Sequence, residues 1–422
     1  MTDQFQWLNA LSTRASLEGA IAEVVAEIKA KLQGTADLGI VFISSAFTSE
    51  YSRVVPLLTE KLPMKVLIGC GGASIIGTDE NNRPQELEDR PALSLTVAHL
   101  PDVTVKPFQL TDQDIPDLDS SPDRWTNIFQ IDNRDDPDFI IFADPFSSNI
   151  NDLLAGLDFA YPNAVKVGGL ASSGGMGRTN GLFCYTEENQ ERSPMLREGS
   201  VGVAIAGKIT IDAIVAQGCR PIGDVFQVSE CERNIITELS RQDEDGITKN
   251  TPLKMLQSLI SELDADDQVL AQDSLFIGIA MDAFKQKLTH GDFLIRNLLG
   301  VDPKIGAMAI GDRIRPGQRI QFHLRDAETS AEDLTVLLKK YRDQKTDFKE
   351  PFGVLMFSCM GRGKGLYGEL NFDANKLASY LPNPNIGGFF CNGEIGPVGN
   401  STFLHGYTSV FGIIRPTEKA PN

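Results

Sequence analysis

One arrangement of apolar runs, helices and paired glycines occurs three times in this chain of 422 residues. The runs GIVFISSAF (39–47), DFIIFADPF (138–146) and FGVLMFSCM (352–360) are rich in β-branched and aromatic residues, which indicates buried strands. Each run reaches a small or polar residue near its end: Ser45, Asp144 and Cys359. A unit repeated in this way restricts the fold to related copies of one supersecondary element.

The rest of the unit follows in the same order each time. A helical stretch ends at a proline, a second short strand runs into glycine (KVLIGCGG, VKVGGLAS, NIGGFFCN), and an apolar return strand comes after a loop. Copies one and three also have an amphipathic helix just before the unit, and Ser330 with Asp333 predicts a capping box at the start of the second of these. The predicted fold is α/β (mixed α+β), with two related halves of mixed β-sheets flanked by helices.

The glycines have two interpretations at this stage. Copy one has Gly69 followed by the pair Gly71–Gly72, and the pairs of the other copies begin at Gly168 and Gly387. Each of these glycines lets the backbone turn sharply or lets another group approach closely. That group is either a neighbouring strand or a ligand. The polar segment 241–270 contains one amphipathic helix, so we predict an N-terminal domain (1–240), this linker with its helix, and a C-terminal domain (271–416).

Charge and cysteine content exclude several classes of protein. Acidic residues number 57 against 39 basic ones, which argues against nucleic acid or an anionic membrane as partner. The sequence lacks a signal peptide and a run of eighteen apolar residues, so no membrane insertion is expected. The six cysteines include no C-x-x-C pair, which favours free thiols in a reducing cytoplasm.

Copy three carries the polar residues that are candidates for a site. SCMGRGKGLYGE (358–369) fails the phosphate-loop pattern, but its backbone N–H groups beside Arg362 and Lys364 would suit a carboxylate or another small anion. Glu394 lies between apolar residues and glycines, so it needs a partner if buried, and Arg362 is a candidate for an ion pair. The predicted ligand-binding residues are Cys359, Gly361, Arg362, Gly363, Cys391, Asn392, Gly393 and Glu394, with Arg325 as a further member.

The same residues also permit an enzyme. Cys359 or Cys391 with His405 and Glu394 is chemically sufficient for acyl transfer, although neither cysteine lies in a nucleophile-elbow motif. Buried cysteine more often serves as a small hydrophobic residue. No pair of potential ligands has zinc-like spacing, so the sequence predicts neither a metal site nor a cofactor.

The C-terminal motifs also carry a resemblance to a known family. FSCMGRGKGLYGE and IGGFFCNGEIGPVGNSTFLHGYTSVFGII resemble the C-terminal half of the FIST domain, and GSVGVAIAGKITIDAIVAQGCRPIGDVFQV resembles the end of its N-terminal half. The resemblance covers about residues 35 to 415. It implies a sensory or scaffolding role, with amino acids as the usual suggestion for the ligand, and it supplies no catalytic residues to transfer.

The sequence therefore predicts a cytoplasmic sensory protein that binds a small ligand, an amino acid or a small carboxylate, and has no chemistry of its own. Its partners are expected to be that ligand and a separate signalling protein. Arg362 would take the ligand carboxylate, and Glu394 or Asn392 an amine or hydroxyl. A cysteine-dependent hydrolase or transferase, and a structural scaffold for protein interaction, stay open as alternatives.

Overall fold

The computed structural model describes residues 4–146, 149–172, 180–188, 193–243, 246–282, 285–288, 291–344, 351–381 and 384–417. The chain forms two compact units, one of residues 1–216 with 336–422 and a smaller one of residues 217–335. Each is described by itself below. Across the described ranges, no helix has the length and apolar character needed to span a membrane.

Copy one begins with a strand that the sequence did not predict, followed by the amphipathic helix that it did predict. Its elements are β1 (Gln6–Ser12), α1 (Leu17–Lys31), β2 (Ala36–Ser44), α2 (Tyr51–Lys61), β3 (Met64–Gly72), β4 (Ile75–Thr78), β5 (Pro84–Leu87) and β6 (Leu93–His99). β2 and β3 are parallel, and the return strand β6 is antiparallel to β2. The predicted strand–helix–strand–return order is confirmed here.

Copy two repeats this order. Its elements are β7 (Val103–Leu110), α3 (Pro122–Phe129), β8 (Asp138–Ala143), α4 (Ile150–Ala160), β9 (Lys166–Leu170), β10 (Leu182–Thr186), β11 (Met195–Leu196) and β12 (Ser200–Gly207). The helix α3 is short, which is why the periodicity did not reveal it, although Pro122 stands at its first turn. The composition of the glycine-rich stretch 168–181 predicts a hairpin loop, and residues 173–179 of it lie outside the described residues.

The smaller unit is inserted in sequence after the first strand of copy three, β13 (Ile209–Ala216). It contains β14 (Arg220–Glu232), β15 (Ile235–Asp243), β16 (Gly246–Asn250), α5 (Pro252–Glu262), α6 (Ala265–Asp273), β17 (Leu275–Ala280), β18 (Phe293–Val301), β19 (Met308–Ile310) and β20 (Arg319–Leu324). The strands follow the order β14-β20-β17-β18-β19-β15, and β15 pairs again with β14, so the sheet closes on itself as a barrel around an apolar core. The insertion interrupts copy three, and the smaller unit covers residues 217–335; the predicted domain bounds at 1–240 and 271–416 stay a prediction.

Copy three resumes after the insertion. Its elements are α7 (Ala327–Gln344), β21 (Gly353–Cys359), α8 (Lys364–Tyr367), α9 (Phe372–Tyr380), β22 (Ile386–Cys391), β23 (Glu394–Val398), β24 (Ser401–His405) and β25 (Ser409–Pro416). The predicted capping box is wrong in position: α7 begins before Ser330, and Asp326 accepts the N–H of Thr329 instead. Ser330 lies inside the helix and donates to the carbonyl of Gly218.

Each copy completes the sheet of another copy. The hairpin β4–β5 of copy one pairs with β22 of copy three, β10–β11 of copy two pairs with β3 of copy one, and β23–β24 of copy three pairs with β9 of copy two. The sheet orders are β1-β6-β2-β3-β10-β11, β7-β12-β8-β9-β23-β24 and β13-β25-β21-β22-β4-β5. The exchange therefore runs around the three copies and closes.

The shared core lies where the three sheets face one another. Phe42, Phe142 and Phe357 hold corresponding places on β2, β8 and β21, and their ring centroids are 5.3 to 6.4 Å apart. Phe389 of β22 joins the group at 5.1 Å from Phe42. Aromatic contacts in this range stabilise a core beyond the area they bury. α1 and α2 cover the other face of the first sheet, and α3 and α4 that of the second.

At one glycine of each copy, the backbone of the neighbouring strand leaves no room for a side chain. A Cβ atom would lie 1.9 Å from the carbonyl oxygen of Val41 at Gly69, 1.8 Å from that of Ile141 at Gly168, and 1.9 Å from that of Met356 at Gly388. The corresponding glycine of copy three is therefore Gly388 rather than Gly387. The strand interpretation of these glycines is confirmed, because the approaching group is a backbone carbonyl.

This contact predicts the effect of adding one methyl group. Gly388→Ala should destabilise the protein by about 3 kcal/mol, because a rigid backbone carbonyl has to move. Gly365→Ala is the matched control, since no atom lies within 4 Å of a Cβ at that position. Urea unfolding of both variants checks the prediction, and equal midpoints for the two variants would contradict it.

Candidate functional site

The two cysteines of copy three lie side by side at the ends of parallel strands. Cys359 ends β21, Cys391 ends β22, and the two are Cα partners in the ladder. The N–H of Met360 donates to the carbonyl of Cys391 at 3.1 Å. Cys359 is partly exposed, whereas Cys391 is fully buried, and burial followed by the nearby Glu394 raises the pKa of the Cys391 thiol well above its usual range. Cys391 therefore resembles a core residue rather than an exposed nucleophile.

Copy three places a polar pair where the other copies have aliphatic ones. Glu394 and His405 face each other across β23 and β24, and both are buried. The corresponding pairs are Ile75 with Leu87 in copy one and Leu182 with Leu196 in copy two. The carboxylate of Glu394 accepts the N–H of Thr408 at 3.1 Å, and Nε2 of His405 lies 3.0 Å from the carbonyl oxygen of Gly396. This end of copy three is therefore specialised for polar groups.

Arg362 pairs with Asp373 rather than with Glu394. Its Nε and Nη2 atoms donate to the two carboxylate oxygens of Asp373 at 2.7 and 3.0 Å, and the hydroxyl of Tyr367 joins them. Arg362 is 1% exposed. Burial alone would lower its pKa, but the Asp373 carboxylate outweighs burial, and the pKa is raised. Because Nε and Nη2 are already hydrogen-bonded to Asp373 and Tyr367, Arg362 stabilises the turn and does not face solvent.

The glycine-rich turn after β21 already holds a carboxylate. The N–H of Lys364 donates to Oε1 of Glu88 at 2.9 Å, and a Cβ at Gly363 would lie 2.6 Å from the same oxygen. The sequence indicated a turn suited to a carboxylate. The carboxylate found there belongs to the loop that follows the copy-one hairpin.

A second carboxylate of copy one is buried under α9. Glu86 of β5 accepts the N–H of Ala374 at 2.7 Å, near the first turn of that helix. Burial, and then the neighbouring charge of Asp373, raise the pKa of Glu86 to about 8. The second oxygen of Glu86 has no hydrogen-bond partner among the residues that the structure describes. At a pH of about 8, the protonated and ionised forms of Glu86 are therefore present in similar amounts.

A cleft of about 500 Å³ opens between copies one and three, at the ends of β2, β3 and β22. Its walls include Ser45, Ser74, Glu88, Arg90, Met360 and Phe390. Met360 lies between the predicted residues Cys359 and Gly361, so one wall of this strand-end cleft belongs to the predicted site. The volume is in the range of small-ligand pockets.

The remaining predicted residues are in other surroundings. Asn392 is exposed and donates from Nδ2 to the carbonyl of Ala171 at 3.1 Å, while the carbonyl of Gly393 accepts the N–H of Leu170. Both contacts are with copy two. Arg325 is in the smaller unit, where its N–H donates to the carbonyl of Ser274. The structure thus brings Cys359, Cys391 and the 361–363 turn together around copy three.

The sequence reasoning missed the copy-one half of the cleft. Glu88, Asp89 and Arg90 form a charged run (EDR) directly after β5, and Pro91 follows it. This charged run can be recognised in the sequence, but nothing in the sequence indicates that it lies next to copy three. That link depends on the hairpin exchange.

Family comparison matches nearly the whole chain. The model of the FIST N domain matches residues 37–242, and that of the FIST C domain matches residues 252–397. An uncharacterized protein of Mycobacterium tuberculosis is 30% identical over 94% of this chain and 97% of its own length, and a second from that species is 28% identical over 92% and 94%. An F-box/LRR-repeat protein of Arabidopsis thaliana is 23% identical over 66% of this chain and 57% of its own length.

The buried Glu86 predicts a pH-dependent stability. Its pKa is about 8 in the folded protein and 4.5 in the unfolded chain, so ionisation of this carboxyl opposes folding increasingly as the pH rises from about 4.5 to about 8. Glu86→Gln keeps an acceptor for Ala374 and removes this penalty. The variant should match the wild type near pH 4.5 and gain roughly 2–4 kcal/mol by pH 8.5. Urea unfolding across this pH range checks the trend; the exposed Glu80→Gln on the same hairpin should show none.

The polar pair predicts a stability cost that its aliphatic counterparts do not carry. Replacing Glu394 and His405 together by leucine, as in copy two, should stabilise the protein by about 1–3 kcal/mol, because two buried polar groups no longer need solvation. His405→Leu alone should gain less, since the Glu394 carboxylate stays buried. Thermal unfolding of both variants provides the measurement. A double variant less stable than the wild type would show that the pair is held for stability.

Proposed function

This chain belongs to the FIST family, and on that premise we propose that it is a sensory protein that binds an amino acid or another small carboxylate in the strand-end cleft. The observation that carries the proposal is the charge arrangement of the cleft. Arg90 is exposed there and makes no hydrogen bond or ion pair with the described part of the chain. A guanidinium in this state is suited to a bidentate contact with a carboxylate.

The remaining walls suit the other parts of an amino acid. Glu88 and Asp89 lie beside Arg90 and would attract an ammonium group, while the exposed Met360 and the buried Phe390 present apolar surface to a side chain. The site therefore combines both charges of a zwitterion with an apolar wall. Such a mixture of a few polar groups and apolar lining is typical of ligand pockets.

The site residues of copy three that the sequence predicted also contribute to this proposal, but in different roles. Cys359, Gly361 and Gly363 shape the turn that presents Met360, and Arg362 fixes that turn through Asp373. Arg90 takes the carboxylate in place of Arg362. Cys391, Asn392, Gly393 and Glu394 support the strand end through their contacts with copy two.

Signalling would then pass through a separate protein partner. The acidic balance, and six cysteines that form no disulfide in the described part of the chain, support a cytoplasmic location.

A thermal-shift screen against amino acids and small carboxylates tests the proposal. A bound ligand at a hundred times its dissociation constant should stabilise the protein by about 2.7 kcal/mol, a rise of a few degrees in melting temperature. Arg90→Gln should abolish the rise. Arg83→Gln is the matched control, an exposed arginine before the same hairpin strand, and should retain it.

Two results would overturn the proposal. One is a panel in which no compound stabilises the wild type. The other is a ligand whose effect survives in Arg90→Gln, which would place its site elsewhere in the molecule.

A further inference from the structure

The ends of β21 and β22 bring two thiols into disulfide reach. Cys359 and Cys391 are direct Cα partners in a parallel ladder. Neighbouring strands lie about 4.8 Å apart, and paired residues extend their side chains from the same face. Disulfides join Cα atoms roughly 4.4–6.8 Å apart. The spacing of paired strands therefore falls within the Cα separation that a disulfide can bridge.

We propose that Cys359 and Cys391 form a reversible disulfide when the protein meets a hydroperoxide. The inference is independent of the strand-end cleft, since it depends only on the strand register and on the different exposure of the two thiols.

The surroundings of the thiols fix the order of the steps. Cys359 is partly exposed beside the exposed Met360 and Gly361, so a small oxidant can reach it. Its sulfur interacts electrostatically with the buried guanidinium of Arg362, and the N–H of Gly361 donates to it at 3.5 Å. Cys391 is fully buried, and the raised pKa of its thiol makes it a poor first nucleophile.

Cys359 therefore reacts first. Its sulfur attacks one oxygen of the hydroperoxide, the O–O bond breaks, and the products are Cys359 sulfenic acid and an alcohol, or water from hydrogen peroxide. The sulfur of Cys391 then attacks the sulfenic sulfur. The S–O bond breaks, the sulfenic oxygen leaves as water with the thiol proton of Cys391, and the peroxide has been reduced by the two electrons that the thiols lose.

Cys70 is the competing thiol. It is buried on β3 and close enough to influence the pKa of Cys391. Its ladder partners are Phe42 and Leu182, so its backbone is not paired with either cysteine of copy three. Cys70 and Cys391 lie on strands of different sheets, β3 and β22. The register thus singles out Cys359 as the partner of Cys391.

Peptide mapping of the oxidised full-length protein tests the proposal. The native protein is treated with a small excess of hydrogen peroxide, remaining thiols are blocked with iodoacetamide, and the digest is analysed by mass spectrometry. The expected product is one linked peptide pair containing Cys359 and Cys391, with an intact mass lower by two hydrogen atoms. Dithiothreitol should restore the original mass.

Two variants sharpen the result. Cys359→Ser, at a partly exposed position, should lose the linked pair while keeping its fold by circular dichroism. Cys231→Ser, a partly exposed cysteine of the smaller unit, should retain the linked pair. A link between Cys70 and Cys391 would overturn the proposal. Oxidation of Cys359 to the sulfinic acid without any linked peptide, or six unmodified thiols, would do the same.

Discussion

Backbone hydrogen bonds between copies hold the larger unit together. Near the glycine turns, the N–H of Gly71 donates to Gly181, that of Leu170 to Gly393, and that of Phe390 to Ser74, at 2.8 to 3.0 Å. Each bond joins a strand of one copy to the hairpin of another. Because a sheet that lost its hairpin would expose an unpaired and largely apolar edge, every copy depends on its neighbour for a complete sheet.

The same exchange explains why residues of two copies form the strand-end cleft and the contacts around Glu86. Glu86 and Glu88 come from copy one, yet they contact α9 and the turn before α8 in copy three. Copy three has the buried pair Glu394 and His405 where the other two copies have aliphatic pairs. Polar side chains therefore occupy this position in one copy, while apolar packing fills it in the other two.

The sequence predicted the repeat, its strand order and its glycine turns, because each of these depends on local pattern: β-branched runs, a proline after the helix, and glycine at the strand end. It also pointed to Cys359, Arg362 and Glu394 as unusual residues. It could not reveal the partner of Arg362, because Asp373 lies in the first turn of α9, whose place is fixed by a contact with Glu86 of copy one. Contacts between distant segments, such as Glu88 with Lys364, follow from the cyclic exchange, which has no local signature in composition or periodicity.

The closed exchange also bears on how such a chain can be assembled. Each copy gives one hairpin and receives one, so the pairing pattern is the same at every junction. Three separate polypeptides, each a single copy long, would satisfy every one of these pairings as a symmetric trimer. The peptide links between copies then add local concentration rather than new contacts, and they release each copy to change its sequence independently of the other two.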